Sequence, residues 1–447
     1  MGALVLAATL RALVFVTYQP AGLLSEDSYR YLIDADRFRP GSVHPFGYPA
    51  FLSALLPLGN LAVVAAVQHL LSLGIGIIVY VLVRRLGAGA VAATVGALPW
   101  LLDGLVLNLG QYVMAETLFT GLVVTALAAL CWFERLSVRT AAGSGLLLGL
   151  AALTRTVGLL LIVPAVAYVL GRRLGRKQAV TLVSAFAVPV LAYAFAYWGA
   201  FGVFGLTNFD GFVLYGRVAP FANCKGLELK AYERVLCDPR PASARPGPDY
   251  YASYASSPIR RLEPPPGTTR NSAGRAFFYR IVIHQPGRYL RTIGADLIHY
   301  AEPGRRTSRR DFPYRVWKFT DAYSELPMRR EAVRRYGGTL RLLTGPAHLL
   351  ERFGRVAITP GPALALALAL GLVVGAVGRR GPSLRSLRGE CLLMSLAGLT
   401  LLVVPAATAV FDYRFVVPVL AVLPPAGALA ASVLAERMRR RSPTSAL

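Results

Sequence analysis

The chain reads as an all-α polytopic membrane protein, and three observations carry that reading. Hydrophobic residues make up 55% of its 447 positions and charged residues only 16%, too little charge for a soluble protein of this length. Apolar runs of about 18–22 residues recur, the length at which a helix crosses a bilayer. Arginine clusters stand at the ends of those runs, where they set orientation and meet anionic lipid. The net charge of +25 is therefore a membrane signature. No basic module stands apart from the spans, so the lipid bilayer is an expected partner and nucleic acid is not.

Ten spans are expected, at about 2–20, 61–83, 88–107, 112–133, 141–154, 157–171, 179–200, 358–378, 390–408 and 414–435. The first lacks a basic n-region and a small-residue cleavage site, so it is expected to be retained rather than cleaved. The chain starts almost inside it, which would suit a short cytoplasmic leader ahead of it. Arg11, within this span, is expected to snorkel or to face the bundle. The polar stretch 21–60 follows. Asp27 and Asp34 lie two helical turns apart and share a face of one short helix, with Tyr31 one turn from Asp27. After a Pro40-Gly41 turn, Pro45 and Pro49 bracket the entry to a second, apolar interfacial helix. The fifth and sixth spans are short and meet at Thr154-Arg155-Thr156, which predicts a tilted or broken segment.

Threading ten spans puts Arg84-Arg85, Arg135/Arg139, Arg172-Arg173-Arg176-Lys177, Arg379-Arg380-Arg385-Arg388 and Arg437-Arg439-Arg440-Arg441 on one side. The positive-inside rule makes that side cytoplasmic. The polar stretches 21–60, 108–112, 154–156, 201–357 and 408–413 then lie outside. This predicts three parts: an N-terminal transmembrane module (1–200) with the first outer loop (21–60), an extracytoplasmic segment (201–357), and C-terminal transmembrane helices with a basic tail (358–447).

The outer segment is mostly helical by pattern. It holds 26 Lys/Arg against 13 Asp/Glu, and long loops translocate regardless of such charge. Residues 238–272, rich in Pro, Ser and Gly, read as a mobile loop. Residues 273–300 read as interfacial amphipathic helices broken at Pro286, and 326–356 look similar. Cys131 and Cys391 fall in apolar runs and are expected to be packing residues. Cys224 and Cys237 share the long polar loop, and outside the cytoplasm they are disulfide candidates.

The outer face gathers Glu26, Asp27, Asp34, Asp36, His44, Tyr48, Glu116, Arg155, Asp412, Tyr413 and Arg414. Carboxylates at a membrane boundary are costly unless paired or functional. No P-loop or GxGxxG nucleotide signature is present. One His among scattered acids gives no metal-ligand spacing, so no metal and no cofactor are called for, although a divalent ion is compatible with these acids. A visible internal repeat would favour a multi-pass transporter or lipid flippase, the alternative reading, and none is seen.

In order along the chain, Glu26-Asp27, HPFGYP (His44–Pro49), QYVMAETLF (Gln111–Phe119), LAALTRTVGLLL (Leu150–Leu161) and FDYRFVVPVLAVLPP (Phe411–Pro425) resemble the type C (GT-C) integral-membrane glycosyltransferases. The likeness is to the protein O-mannosyltransferase and aminoarabinose-transferase-like group. It covers nearly all of the membrane part and is weak across 201–357. It implies a GT-C-like bundle that moves a monosaccharide from a polyprenyl-phosphate donor to an acceptor hydroxyl, with inversion. Mannose is the first expectation and a pentose the second. The acceptor is a glycan, glycolipid, peptide or protein. By the same resemblance Asp27 is the general base, with Glu26 sharing or orienting it. Arg155 and Arg414 face the donor phosphate, and Glu116, His44, Tyr48, Asp412 and Tyr413 are candidates for substrate contact or loop shaping. The Arg/Ala/Leu/Gly-rich composition suits a high-GC bacterium, which implies a plasma-membrane enzyme active on the extracytoplasmic face.

Overall fold

The computed structural model describes residues 2–323, 326–377 and 387–441. Helix α1 (Gly2–Thr17) leads into a two-residue strand, β1 (Tyr18–Gln19), and the polar stretch that follows forms α2 (Ser25–Arg37) and α3 (Gly47–Leu55). The bundle continues with α4 (Ala62–Arg85), α5 (Ala90–Leu102), α6 (Gly104–Gln111), α7 (Glu116–Trp132), α8 (Val138–Thr154), α9 (Ile162–Gly171) and α10 (Arg176–Phe201). The next segment holds α11 (Asp210–Val218), α12 (Pro248–Ser253), α13 (Arg270–His284), α14 (Pro286–Tyr300), α15 (Leu326–Tyr336), β2 (Arg341–Leu342) and α16 (Thr344–Val356). Then come α17 (Gly361–Val377), α18 (Arg388–Thr408) and α19 (Val419–Arg441).

Helix length carries fewer spans than the ten expected. Among the described residues, four helices are long and apolar enough to cross a membrane alone: α4, α10, α18 and α19. Two bent pairs, α5–α6 at 47° and α16–α17 at 49°, raise the number to six. The other bundle helices are apolar but only 10–17 residues long. The predicted basic loop with Arg379, Arg380 and Arg385 lies outside the described residues, as do the side chains from Arg439 onward.

Two boundaries differ from expectation for a physical reason. The run 88–107 is not one span, because Asp103 interrupts it. Its carboxylate accepts from Leu105 N at 2.9 Å and Thr359 N at 2.8 Å and pairs with Arg305 at 2.6 Å. A carboxylate can be buried at 2% exposure only with such partners. The fourth span starts at Glu116 rather than Tyr112. Residues 111–113 are committed to backbone pairing with Gly22, through Gly22 N to Gln111 O and Val113 N to Gly22 O, both 2.8 Å.

Packing between α8 and α10 depends on Gly145 and Gly149. A Cβ at Gly145 would stand 2.2 Å from the Leu182 carbonyl oxygen, and one at Gly149 2.7 Å from that of Phe186. Backbones approach this closely only across a small-residue stripe. Arg11 faces the bundle, donating to Leu101 O at 2.8 Å and Ser72 Oγ at 2.9 Å.

The arginine-rich helix ends meet one another. Arg85 at the end of α4 donates to Trp132 O at 2.8 Å, and Arg172 after α9 pairs with Glu390 of α18. Glu116 occupies the other end of α7, roughly 24 Å from Trp132 at 1.5 Å per residue.

The segment after α10 first builds a small core of its own from Phe212, Tyr215, Tyr251, Ile259, Leu262 and Phe277, and a disulfide joins Cys224 to Cys237. The stretch 238–272, expected to be mobile, belongs to this core: Tyr251, Ile259 and Leu262 are fully buried. Its apolar residues are spaced singly among prolines and serines, so no period announces their burial. The chain then straps the polar stretch that carries α2 and α3. Strands β1 and β2 pair antiparallel, Tyr18 opposite Leu342. Arg335 of α15 pairs with Asp36, and Arg329 donates toward the carbonyls of Ala21 and Leu23 at 3.5 and 3.3 Å.

Candidate active site

Asp27 stands in the first turn of α2, where the helix dipole favours an anion. That turn is anchored by Ser28, whose hydroxyl accepts from Leu24 N at 2.8 Å and donates to Val113 O at 2.9 Å. The Asp27 carboxylate is a quarter exposed and holds two partners: Arg414 Nη1 at 2.8 Å and His44 Nε2 at 3.3 Å. A carboxylate only accepts, so His44 Nε2 carries the proton of that contact. His44 is held by stacking on Tyr31, 4.4 Å between ring centroids. Tyr31 in turn meets Tyr48 edge to face at 4.9 Å, and the Tyr48 hydroxyl donates to Gln68 Oε1 at 2.8 Å.

Arg414 sits in a 3₁₀ turn, Tyr413–Val416, between α18 and α19. Asp412 caps this turn by accepting Arg414 N at 2.9 Å and also contacts the Arg414 guanidinium, Nε to Oδ2, at 3.1 Å. The indole N–H of Trp317 donates to the other Asp412 oxygen at 2.7 Å. Beside this group, Arg155 pairs with Glu116. Arg155 is the extended residue at which α8 stops and a 3₁₀ segment begins, so the break turns its side chain toward the first residue of α7. Phe415 joins the two halves: the Arg155 and Arg414 guanidinium carbons lie 5.6 and 5.4 Å from its ring centroid. One oxygen of Glu116, Oε2, is buried without a hydrogen-bond partner among the described residues.

The electrostatics oppose the two aspartates. Burial pushes the Asp27 carboxyl up, but the hydrogen bond from His44 and the charge of Arg414 outweigh it and hold the group well below the ordinary carboxylate range. For Asp412 burial wins over Arg414 and Trp317, and its pKa is pushed up to about 6. The pair thus combines an acid held ionised with one that titrates near neutrality.

Not every candidate from the sequence enters this cluster. Glu26 turns outward, 70% exposed, and pairs with Arg30 at 2.5 Å. Tyr413 packs among Phe411, Tyr300 and Tyr314, and its hydroxyl donates to Gly304 O at 3.3 Å. Trp317, Phe415 and Gln68 were missed by sequence reasoning. Trp317 carried one signal, a lone indole in a basic loop, since a buried Trp N–H needs an acceptor. Among the described residues no group of three or more His, Cys, Asp or Glu side chains is arranged to hold a metal ion.

No family model matches the chain, and no curated protein matches it. Among solved structures it is similar to the archaeal oligosaccharyltransferase AglB from Archaeoglobus fulgidus in complex with an inhibitory peptide and a dolichol-phosphate. The TM-score is 0.47 at 15% identity, over 98% of this chain and 50% of that one. The Archaeoglobus fulgidus oligosaccharyltransferase tethered to an acceptor peptide containing the NVT sequon gives 0.46 at 14% identity, over 100% and 50%. The chain thus spans about half the length of these structures.

Proposed function

We propose that the protein is a membrane glycosyltransferase of the GT-C type that moves a monosaccharide, mannose before pentose, from a polyprenyl-phosphate donor to an acceptor hydroxyl outside the cytoplasm. The single observation that supports this most is the contact between Asp27 and Arg414 on an outer loop, with a second arginine, Arg155, one aromatic ring away. Transfer from a lipid phosphate needs a base for the acceptor proton and cations for the departing phosphate. Both kinds of group meet here, at the end of the bundle away from the clustered arginines.

Asp27 takes the proton from the acceptor hydroxyl as its oxygen attacks the anomeric carbon. The bond to the phosphate oxygen breaks on the opposite face, and single displacement inverts the configuration. Arg414 and Arg155 receive the lipid phosphate, and the free Glu116 Oε2 accepts from a sugar hydroxyl. Without donor, Arg414 keeps Asp27 ionised but weakly basic. A phosphate that competes for Arg414 withdraws that charge, so Asp27 becomes a stronger base when donor is bound. His44 orients the carboxylate through its Nε2–H. Asp27→Asn is expected to leave the fold intact and donor binding as tight as in the parent or tighter, since Arg414 loses a competing carboxylate, and to lower transfer by roughly 10²–10⁴-fold, the usual worth of a general base. Turnover of a radiolabelled polyprenyl-phosphate mannose by the purified chain measures this, and near-full activity in the variant would end the assignment.

A further inference from the structure

We propose that the acceptor is an anionic glycan, a sugar chain bearing carboxylate or phosphate groups, and that it lies in the cleft between residues 246–254 and 305–318. The proposal rests on the transfer reading above and names its substrate class. The cleft is open, with a volume of about 840 Å³, enough for several sugar rings. Its two walls are pinned to each other. Gly247 meets the Arg310 carbonyl so closely that a Cβ there would stand 2.1 Å from the oxygen. The Arg310 guanidinium also donates to the Ala242 and Ser243 carbonyls. The cleft is therefore a built feature of the outer segment.

Its charge is poised for an anion. Arg309 and Arg315 are exposed on the lining, and neither side chain has a hydrogen-bond or ion-pair partner among the described residues. Lys318 adds a third cation, its ammonium 5.5 Å from the Tyr314 ring centroid. The lining also carries two carboxylates, Asp249, which accepts from the Ser253 hydroxyl at 3.2 Å, and Asp311, which accepts from Ser308 N at 2.6 Å, but its arginines and Lys318 outnumber them. Tyr254 offers a ring that is 56% exposed, beside Tyr250. Aromatic faces pack on the C–H faces of sugar rings, while arginine forks take carboxylate or phosphate.

Hydrogen bonds and ion pairs tie the neighbourhood of the cleft to the candidate site: the Trp317 indole N–H donates to Asp412 at 2.7 Å, Asp412 contacts the Arg414 guanidinium at 3.1 Å, and Arg414 pairs with Asp27 at 2.8 Å. Arg305, Tyr314 and Lys318 are shared with an adjoining cavity of about 330 Å³ whose wall includes Trp317, the residue bound to Asp412. A glycan laid along the cleft would run beside Trp317, which connects through Asp412 and Arg414 to Asp27. An anionic lipid headgroup would use the same arginines, but tyrosine faces and Ser/Thr hydroxyls line the cleft where acyl chains would need aliphatic walls.

The test uses the detergent-solubilised full chain and a fluorescent tetragalacturonate, with maltotetraose as its neutral counterpart, read by anisotropy. The tetragalacturonate is expected to bind and the neutral sugar not. Binding is expected to fall with salt, and to weaken roughly tenfold or more when both free arginines are reversed (R309E/R315E). Tyr254→Ala should weaken it further without changing the salt dependence. Equal binding of the two sugars, or no effect of the reversals, would overturn the proposal. So would preference of the same residues for anionic over zwitterionic vesicles with no sugar binding. Asp27→Asn separates the two levels: tetragalacturonate binding should survive it. Donor turnover without sugar binding would sink only the cleft, and sugar binding without donor turnover only the transfer reading.

Discussion

At the scale of single residues, the candidate site is a competition for Arg414. Its guanidinium serves Asp27 and Asp412 together, and the third claimant is the donor phosphate. Arg414→Ala removes a charged hydrogen-bond partner worth about 1.5–3 kcal/mol. Donor KM is therefore expected to rise roughly 10- to 150-fold, and Arg414→Lys to recover only part of this because it lacks the planar fork. An unchanged KM for both variants would remove Arg414 from the phosphate site. Asp412 makes a pH prediction. Its folded pKa is raised by burial from 3.8 to about 6. A carboxyl raised on folding contributes stability that is full below about pH 4 and lost as pH rises through about 6. Asp412→Asn has no such dependence, so the Tm of the variant relative to the parent should climb between about pH 4 and 7. A difference that stays flat across that range contradicts the assignment.

At the scale of elements, breaks matter more than spans. The α8 helix stops at Arg155, α5 stops at Asp103, and the 3₁₀ turn at Tyr413–Val416 interrupts the path from α18 to α19. Each break leaves a charged side chain pointing where a continuous helix would not send it. The unbroken part is held by close packing, most tightly where Gly145 and Gly149 meet α10. Gly149→Leu must push aside the Phe186 carbonyl and Pro189 ring, an overpacking cost of about 1–3 kcal/mol. Loss of detergent-solubilised Tm with little change in donor KM is expected, because Gly149 faces α10 whereas Arg155 turns toward Glu116 of α7. A variant as stable as the parent would show that this stripe is not a packing constraint.

At the scale of the whole molecule, polarity runs from one end of the bundle to the other. The arginine-rich helix ends gather at Arg85, Arg172 and Arg388, and the acid-arginine cluster lies at the far end of α7. Sidedness follows if the positive-inside rule holds for this chain. Ser256→Cys on the outer segment should react with a membrane-impermeant maleimide in intact cells, and Arg135→Cys should react only after permeabilisation. The native cysteines give little background, since Cys131 and Cys391 are buried and the other two are bonded to each other. The reverse labelling pattern would place the cleft and Asp27 in the cytoplasm and end the polyprenyl-phosphate reading.

The sequence by itself determined the helical membrane class, the approximate position of most apolar helices though not the break at Asp103, the break near Thr154–Thr156 and the Pro286 division between α13 and α14. These follow from local hydrophobicity and backbone chemistry, which act over a turn or two. It also marked Asp27, His44, Tyr48, Glu116, Arg155, Asp412 and Arg414 as polar residues at helix boundaries. Only the tertiary structure decided how they associate. Asp27 and Arg414 are 387 positions apart and Asp103 and Arg305 are 202 apart, and no pattern of period 2 or 3.6 links such pairs. The bond of Trp317 to Asp412 and the close approach of Gly247 to the Arg310 carbonyl arise in the same way. They exist because loops and helix breaks distant in the chain meet in the folded bundle, and a buried charge there is stable only beside the partner it meets.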